Sequence, residues 1–526
     1  MCSEDALRDS AVSQLYAVSD DKNDDDEESL VRALRGFSDE PFELFCMYNL
    51  LDCREKTRTV PVSAIRIAHL RSVFNKMNVC HTGPGMATTF LKIIDDELTR
   101  VGSDVGKNAE LENDGAHFDM AYAIFSMPHN VYMRILRAVE KDSRGQSTNP
   151  VWHALRLDTI SATRFFDVFS TSRLTAGNKR ETLAGRGCEA IRFGVQCEPL
   201  IRIVLEEFVI KGRERTGSDI GLLLDPSSGI LGASLDFCVG ISRDDDGLLS
   251  IAPRAAIFEI KCRFKYLRSR DDDAVKDLLD RPNIHTFSSF ILSHHIPAIE
   301  FRQDGDTPSG REALISHDKV FQQNLKRRRS GKAPDFIRSW LDTLINLNSA
   351  TSSTVIVFDV CVDEDLPRTV CGAVSDSGEK KYLNIVEKAR FTAPVFINPR
   401  HPYYCQTLLQ QYVLSQYYIN AHCDPERMSP DELPSVHLVS AILRKRDDSE
   451  QGYSLRINGR VSDCEEIPLC VVVTPIKVDP LFTRDAVNCV LNTWERDIQK
   501  KTGLSLWVQS AVSVYVASCI REPQTP

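Results

Sequence analysis

The sequence predicts an α/β protein, with a small mixed central sheet flanked by helices and a helical N-terminal region. Three observations carry that expectation. Residues 31–145 contain four segments whose apolar residues recur at helical spacing. Further along, short apolar runs of strand length alternate with amphipathic segments. Between residues 232 and 263, in GASLDFCVGISRDDDGLLSIAPRAAIFEIKCR, two such runs are joined by a turn, and each carries charge where a buried strand ordinarily holds none.

The elements follow in chain order. Residues 1–30 hold ten acids against two bases, so an acidic disordered tail is expected there. EPFELFCMYNLLDC, VSAIRIAHLRSVFNKM, TTFLKIIDDELTRV and PHNVYMRILRAVEKD are expected helices, making 31–148 a mainly helical lobe. RGQSTNP (144–150) is a loop, and residues 186–211 read as one or two helices. DIGLLLDPSSGILGASLDFCVGI is expected to fold as a hairpin turned at DPSSG, and RDDDG (243–247) then turns the chain into AAIFEIKCR. STVIVFDVCVD (353–363) and LCVVVTPIKVD (469–479) are expected strands. HPYYCQTLLQQYVLSQYYI (401–419) and TRDAVNCVLNTWERDIQKK (483–501) are expected helices. SLWVQSAVSVYVASC (505–519) reads as one or two closing strands. The core is placed at 149–430, with a basic loop at 311–340, and 431–526 completes the fold with strands and a helix.

Composition excludes several classes. Hydrophobic residues at 42% and charged residues at 26% are ordinary for a soluble globular protein. No run of 18 apolar residues occurs, so no membrane partner is expected, and the N-terminal MCSEDALRDS lacks the apolar core of a secretory signal. Sixteen cysteines are scattered without a CxxC pair. That argues for reduced core thiols of an intracellular protein, such as Cys238 and Cys470, and against disulfides or zinc. The net charge of −10 is uneven: residues 1–30 carry −8, leaving −2 for the rest, while 311–340 hold eight bases against three acids, including KRRRSGK (326–332).

The charged strand residues suggest chemistry. Alternation places Glu259 and Lys261 on one face of a strand. If the ASLDF strand pairs antiparallel with it, Asp236 lies beside them. Two buried carboxylates repel unless positive charge sits between them. Mg²⁺ meets that need, being a hard cation that takes carboxylate oxygens, waters and phosphate oxygens. In that reading the Ile260 carbonyl also faces the ion and Lys261 holds an attacking water. The other reading is a buried acid–lysine pair that serves structure alone.

An acid followed by E-x-K resembles the signature of the restriction-endonuclease-like nucleases. NPVWHALRLDTISATRF (149–165) looks like the opening motif of the phage lambda exonuclease branch, where a Trp, an Arg four residues later and a small hydroxyl residue bind a 5′-phosphate. The matching positions are Trp152, Arg156 and Thr163, where the phage enzyme has Ser; Ser161 is the alternative hydroxyl. RFGVQCEPLIR (192–202) resembles that branch's Gly-x-x-x-Glu helix, giving Gly194 and Glu198 as a further acid to the metals. GASLD carries Ser234 two before Asp236, and NPRHPYYCQTLLQQY (398–412) resembles the downstream Tyr/Gln helix, with Gln406 the best match. Taken with GLLLDPSSGILGASLD, FEIKCRFKYL and PSGREALISHD, the chain resembles the herpesvirus alkaline nucleases, the alphaherpesvirus form most, closely over about 150–430 and loosely over 31–149.

The resemblance implies a restriction-endonuclease-like core and a deoxyribonuclease that degrades duplex DNA 5′→3′ and also cuts internally. It implies Mg²⁺ dependence, with Mn²⁺ able to replace it, and an alkaline optimum. It places the protein in the host nucleus, with the cytoplasm as a second compartment. There it would process replicated viral DNA for packaging and recombination, with the viral single-stranded-DNA-binding protein as partner. Asp236, Glu259 and Lys261 would be catalytic. Asp236, Glu259, the Ile260 carbonyl and Glu198 would hold metal. Trp152, Arg156, Ser161, Thr163, Ser234 and Gln406 would meet DNA.

Plainer readings stand beside these. Trp152 suits a core aromatic and Arg156 a solvated helix face. Glu198, beside Pro199, suits a first helical turn, because helix interiors tolerate proline poorly. Gln406 and Gln410 suit an exposed stripe. KRRR (326–329) suits an import signal, a DNA contact or a solvated loop. Two other functions are compatible with the same residues: an RNA endonuclease acting on host messenger RNA, and a DNA-binding or packaging factor on a decayed nuclease fold.

Overall fold

The computed structural model describes residues 60–80, 87–100, 114–157, 159–174, 184–211, 216–217, 219–294, 297–303, 307–322, 335–362, 381–421, 429–502 and 506–520. The acidic segment 1–30, EPFELFCMYNLLDC and the KRRR run lie outside them.

Four helices come first: α1 (Val62–Cys80), α2 (Thr88–Arg100), α3 (Asp114–Phe125) and α4 (His129–Asp142). Their apolar spacing forms them: Phe90, Leu91, Ile94 and Leu98 of α2 fall on one face and are buried. Asp142, at the end of α4, accepts from the Phe90 amide at 2.7 Å and so satisfies an open donor in the first turn of α2. Arg66 of α1 is buried and donates to the Leu155 carbonyl at 2.9 Å and to Thr159 Oγ1 at 3.2 Å, fixing the chain that leads into the site.

Next come α5 (Pro150–Leu157), β1 (Ile160–Ser161), α6 (Ala162–Thr171) and α7 (Ala184–Val204), which runs on into a wider turn at Leu205–Ile210. The strands β2 (Thr216–Gly217), β3 (Leu223–Leu224), β4 (Leu231–Ala233), β5 (Phe237–Arg243) and β6 (Leu249–Cys262) follow. The expected hairpins are present: β3 pairs antiparallel with β4 and β5 with β6. Gly247 closes the second turn at φ +73°, a conformation that favours glycine. Gly232 is needed for close approach, because a Cβ there would meet Thr159 Cγ2 at 2.6 Å.

The remaining elements are α8 (Asp273–Asp280), α9 (Ile284–Leu292), β7 (Ile299–Phe301), β8 (Leu314–Ser316), α10 (Asp335–Ser349), β9 (Ser353–Val362), β10 (Tyr382–Ala393), β11 (Phe396–Ile397), α11 (Pro402–Ala421), β12 (Ser435–Arg444), β13 (Ser454–Ile457), β14 (Arg460–Ser462), β15 (Ile467–Ile476), α12 (Pro480–Thr502) and α13 (Val512–Ile520). Nine strands form one mixed sheet in the order β14-β13-β10-β9-β15-β12-β6-β5-β2. The sheet is therefore large, not small as expected. β6 lies inside it, parallel to β12 and antiparallel to β5.

Alternation along β6 sorts its side chains between two apolar cores. Ile257 joins the core that contains α11, and Phe258 and Ile260 join the core that contains α7. α11 is buried over most of its length, with Tyr404, Leu408, Tyr412 and Tyr417 among its core residues, as suits a helix enclosed on every side.

Two local expectations are corrected. Residues 512–520 form the helix α13 and not a strand. Val512, Tyr515 and Ser518 recur every three residues and are buried, and Tyr515 meets Tyr412 of α11 edge to face at 5.4 Å. Glu198 is not in a first turn, since α7 runs through Pro199. Proline removes the bond to the carbonyl of Val195, whose side chain is 63% exposed, while Phe193, Cys197, Leu200, Ile201 and Val204 pin the opposite face to the sheet. Among the described residues no helix is long and apolar enough to cross a membrane.

Candidate active site

β5 and β6 set the centre of the site. Phe237 pairs with Phe258, which brings Asp236, one residue before β5, against the start of the E-x-K segment. Asp236 Oδ2 accepts from the Ile260 amide at 2.8 Å. Glu259 and Lys261 share a face and are ion-paired through Glu259 Oε1. The Glu259 side chain is 1% exposed, that of Lys261 24%.

α11 crosses this face and holds Glu259 from above. Gln406 Nε2 donates to Glu259 Oε1 at 2.5 Å and Gln410 Nε2 to Glu259 Oε2 at 2.5 Å. Gln410 also donates to the Ser234 carbonyl at 3.1 Å. The two glutamines are buried, so the exposed-stripe reading is overturned. Tyr403, at the start of the same helix, lies under two cations, Lys261 Nζ at 5.4 Å and the Arg263 guanidinium at 5.2 Å from its ring.

The electrostatics are those of crowded acid. Burial pushes the Asp236 carboxyl well above the usual range, and the charges of Glu259 and Glu198 push it further, against the pull of Lys261. Burial also raises Glu198; Arg202, paired with it at 2.5 Å, opposes this, and Glu259 adds to it. Burial alone would lower the Lys261 ammonium, but Glu259 and Asp236 outweigh it and hold Lys261 above its ordinary value. Three carboxylates therefore act on one another with Lys261 and Arg202 as the cations that offset them. The donors are carboxylate oxygens, the set a hard divalent cation prefers, so these residues fit Mg²⁺. The position of Glu198 on α7 keeps it within electrostatic reach of both Glu259 and Lys261.

A second group adjoins the first through Ser234. Trp152 Nε1 donates to Ser234 Oγ at 2.8 Å. The Arg156 guanidinium lies 4.3 Å over the Trp152 ring, and its Nη2 reaches Thr163 Oγ1 at 3.5 Å. Thr163 Oγ1 is 3.0 Å from Ser161 Oγ, so the two hydroxyls considered as alternatives stand together. Ser161 is the N-cap of α6, whose first amides give a partial positive charge to the same spot. Trp152 is buried and Arg156 half-buried. The eleven residues given a catalytic, metal or DNA role from the sequence thus fall into two adjoining groups.

Gln410, Tyr403, Arg202 and Arg263 also belong to this neighbourhood and were not selected. Gln410 stands one helical turn after Gln406 in QTLLQ, and that i,i+4 repeat was the available signal.

An acid at the head of one strand, facing an acid and a lysine on its neighbour within a helix-flanked mixed sheet, defines a nucleic-acid hydrolase of the restriction-endonuclease-like fold. A family model described as viral alkaline exonuclease matches residues 34–512, and the chain belongs to that family. It is 37% identical to the alkaline nuclease of human cytomegalovirus (strain Merlin), over 97% of this chain and 100% of that one. It is 39% identical to the alkaline nuclease of human herpesvirus 6A (strain Uganda-1102), over 93% and 97%. These relatives carry the family but not the narrower likeness to the alphaherpesvirus form. Among solved structures, the shutoff and exonuclease protein from Kaposi's sarcoma-associated herpesvirus matches with a TM-score of 0.69 at 23% identity, over 98% of this chain and 99% of that one. A SOX–DNA complex matches at 0.66 and 22% identity, covering 95% and 98%, and a SOX RNA complex at 0.60 and 24%, covering 86% and 97%.

Proposed function

We propose that this chain is a Mg²⁺-dependent alkaline deoxyribonuclease that degrades duplex DNA from 5′-phosphorylated ends and also cuts internally. The observation that carries the reading is the adjacency of the two groups: Ser234, in the Trp152–Arg156 group, stands two residues before Asp236. A terminal phosphate held by the first group places the next phosphodiester at the second.

Arg156, Ser161, Thr163 and Ser234 receive the 5′-phosphate, the guanidinium as a fork of donors, with the α6 N-terminus behind them. Trp152 packs by the terminal nucleotide. Asp236, Glu259, the Ile260 carbonyl and Glu198 hold Mg²⁺, or Mn²⁺ in its place, which supplies positive charge for the phosphate under attack. Lys261, kept charged by its acidic neighbours, orients the attacking water and stabilises the negative charge it acquires. Gln406 and Gln410 fix Glu259. Contacts confined to phosphates give weak sequence preference.

The setting we propose is the host nucleus, with a cytoplasmic pool, where the enzyme trims replicated viral DNA before packaging and recombination beside the viral single-stranded-DNA-binding protein. The KRRR run serves import or DNA contact. Its replacement by four alanines separates these: lost nuclear accumulation with an unchanged salt dependence of DNA binding marks import, and a flatter salt dependence marks contact.

RNA is a second substrate class, supported by the solved RNA complex that shares the fold and by a site that addresses phosphates. A gel assay decides. 5′-phosphorylated duplex DNA and structured RNA are incubated with Mg²⁺ or EDTA, using wild type and Asp236→Ala, Glu259→Ala and Lys261→Ala. Each variant should lose hydrolysis while still binding DNA. Wild-type turnover in any of the three at saturating Mg²⁺ would reject the assignment.

A further inference from the structure

On the opposite face of β6 from Glu259 and Lys261, the fold assembles thiols that lie far apart in sequence. Cys197 of α7 and Cys464, which follows β14, are separated by 267 residues, yet their sulfurs are 3.8 Å apart. Each sulfur is 3.6 Å from the same atom, Glu466 Oε2. Cys197 is buried, and Cys464 and Glu466 are half-buried, which leaves an approach from solvent. Arg446 holds the loop that presents them, donating from Nη2 to the Cys464 carbonyl at 2.7 Å and from Nε to the Glu465 carbonyl at 2.6 Å. Cys262, at the end of β6, packs against the same core.

The spacing of the three donor atoms is that of a coordination face. Tetrahedral Zn²⁺ keeps thiolate sulfur at about 2.3 Å and carboxylate oxygen at about 2.0–2.2 Å, which sets S···S edges of about 3.8 Å and S···O edges of about 3.5–3.7 Å. The triangle here has edges of 3.8, 3.6 and 3.6 Å. Without an ion the cluster is poorly satisfied: among the described residues, Glu466 Oε2 accepts only from thiols, which are weak donors.

We propose that Cys197, Cys464 and Glu466 bind a soft divalent cation of the zinc class, with water as fourth ligand. Thiolate donors select against Mg²⁺, so this site and the carboxylate site take different metals. Binding releases the two thiol protons to solvent. The ion ties α7 to the loop before β15 at the residue preceding Glu198, and so fixes the helical turn that carries Glu198. It is a structural staple set behind the acids and takes no part in the chemistry.

Cobalt reads the site directly. The reduced full chain, stripped of metal, should develop on addition of Co²⁺ a thiolate-to-cobalt charge-transfer band that saturates at one equivalent, with the strong visible bands of a tetrahedral site, and Zn²⁺ should remove both. Cys464→Ser should abolish the charge-transfer band and weaken zinc by more than the about 10–100-fold that loss of an outer partner costs. Asp236→Ala should retain the band, because carboxylates give none. Zinc should raise the melting temperature of wild type and leave that of Cys464→Ser unchanged, with both folded by circular dichroism in EDTA. Absence of the band in wild type, its persistence in Cys464→Ser, or its loss in Asp236→Ala alone would each overturn the proposal. So would a Cys197–Cys464 disulfide in place of metal in protein isolated under reducing conditions with zinc.

Discussion

Gln410 Nε2 donates to Glu259 Oε2 at 2.5 Å and to the Ser234 carbonyl at 3.1 Å, so one buried amide joins the two groups of the site. Both of its protons are used, and Gln406 takes the other oxygen of Glu259. The carboxylate is thereby held at both oxygens by one helix.

Removal of that clamp should cost turnover more than folding. Gln410→Ala leaves one buried oxygen of Glu259 without its donor, worth about 1–3 kcal/mol of stability. Loss of an outer partner to a metal ligand lowers metal affinity or activity about 10–100-fold. Plasmid digestion rates against Mg²⁺ concentration, with urea melts alongside, measure both. An unchanged Mg²⁺ dependence would reduce Gln410 to a packing residue.

Arg156 should separate end recognition from cutting. Its guanidinium stacks on Trp152 and reaches Thr163, away from the Asp236–Glu259–Lys261 group. Arg156→Ala should therefore slow digestion of 5′-phosphorylated ends more than nicking of supercoiled plasmid. Arg156→Lys should restore little, because a single ammonium does not reproduce the fork. Equal losses on both substrates would make Arg156 a general backbone contact.

Much of this site was legible because its signals are local. Asp236, Glu259 and Lys261 are charged residues in apolar strands joined by a short turn, and period-two alternation places two of them on one face. The hairpins were legible for the same reason. What failed was context. The buried face of α11 read as an exposed stripe because burial on all sides erases amphipathic contrast. α13 read as strand because its exposed positions, Val514 and Ile520 among them, are as apolar as its buried face. Pro199 read as a helix start because nothing local reveals the apolar face that holds α7 together beyond it. β10 pairs with β13 and β12 with β6, strands distant in sequence, as Cys197 is from Cys464, so no spacing rule finds them.

The pair Arg444–Glu450 should be a point of fragility. Arg444 and Glu450 are bonded through both nitrogens and both oxygens, at 2.7 and 2.6 Å, with side chains 1% and 3% exposed. Arg270 adds a third contact at 3.0 Å. Removing one partner strands a buried charge, so Glu450→Ala should destabilise by about 3–5 kcal/mol. Pairing that change with Arg444→Met should recover part of the loss in urea unfolding. A double variant as unstable as the sum of the single changes would show that the residues do not act on each other.

His437 should set part of the acid limit of stability. It lies in β12, stacked on Phe258 with ring centres 4.8 Å apart. Burial pushes its imidazole down from 6.5 to about 4; the Ile257 backbone opposes that shift and the Lys477 charge adds to it. Between those values the unfolded chain takes up a proton that the folded chain refuses, so stability rises with pH. The contribution is complete above about 6.5 and is lost as pH falls toward 4. At 1.36 kcal/mol per unit its ceiling is about 3 kcal/mol. His294, also pushed down to about 4 by burial, acts in the same direction. Urea unfolding of wild type, His437→Gln and the double variant with His294→Gln, from pH 7 down to pH 4.5, should give successively flatter dependence on pH. Parallel curves for wild type and His437→Gln would mean that the folded protein accepts the proton at His437 as readily as the unfolded chain does.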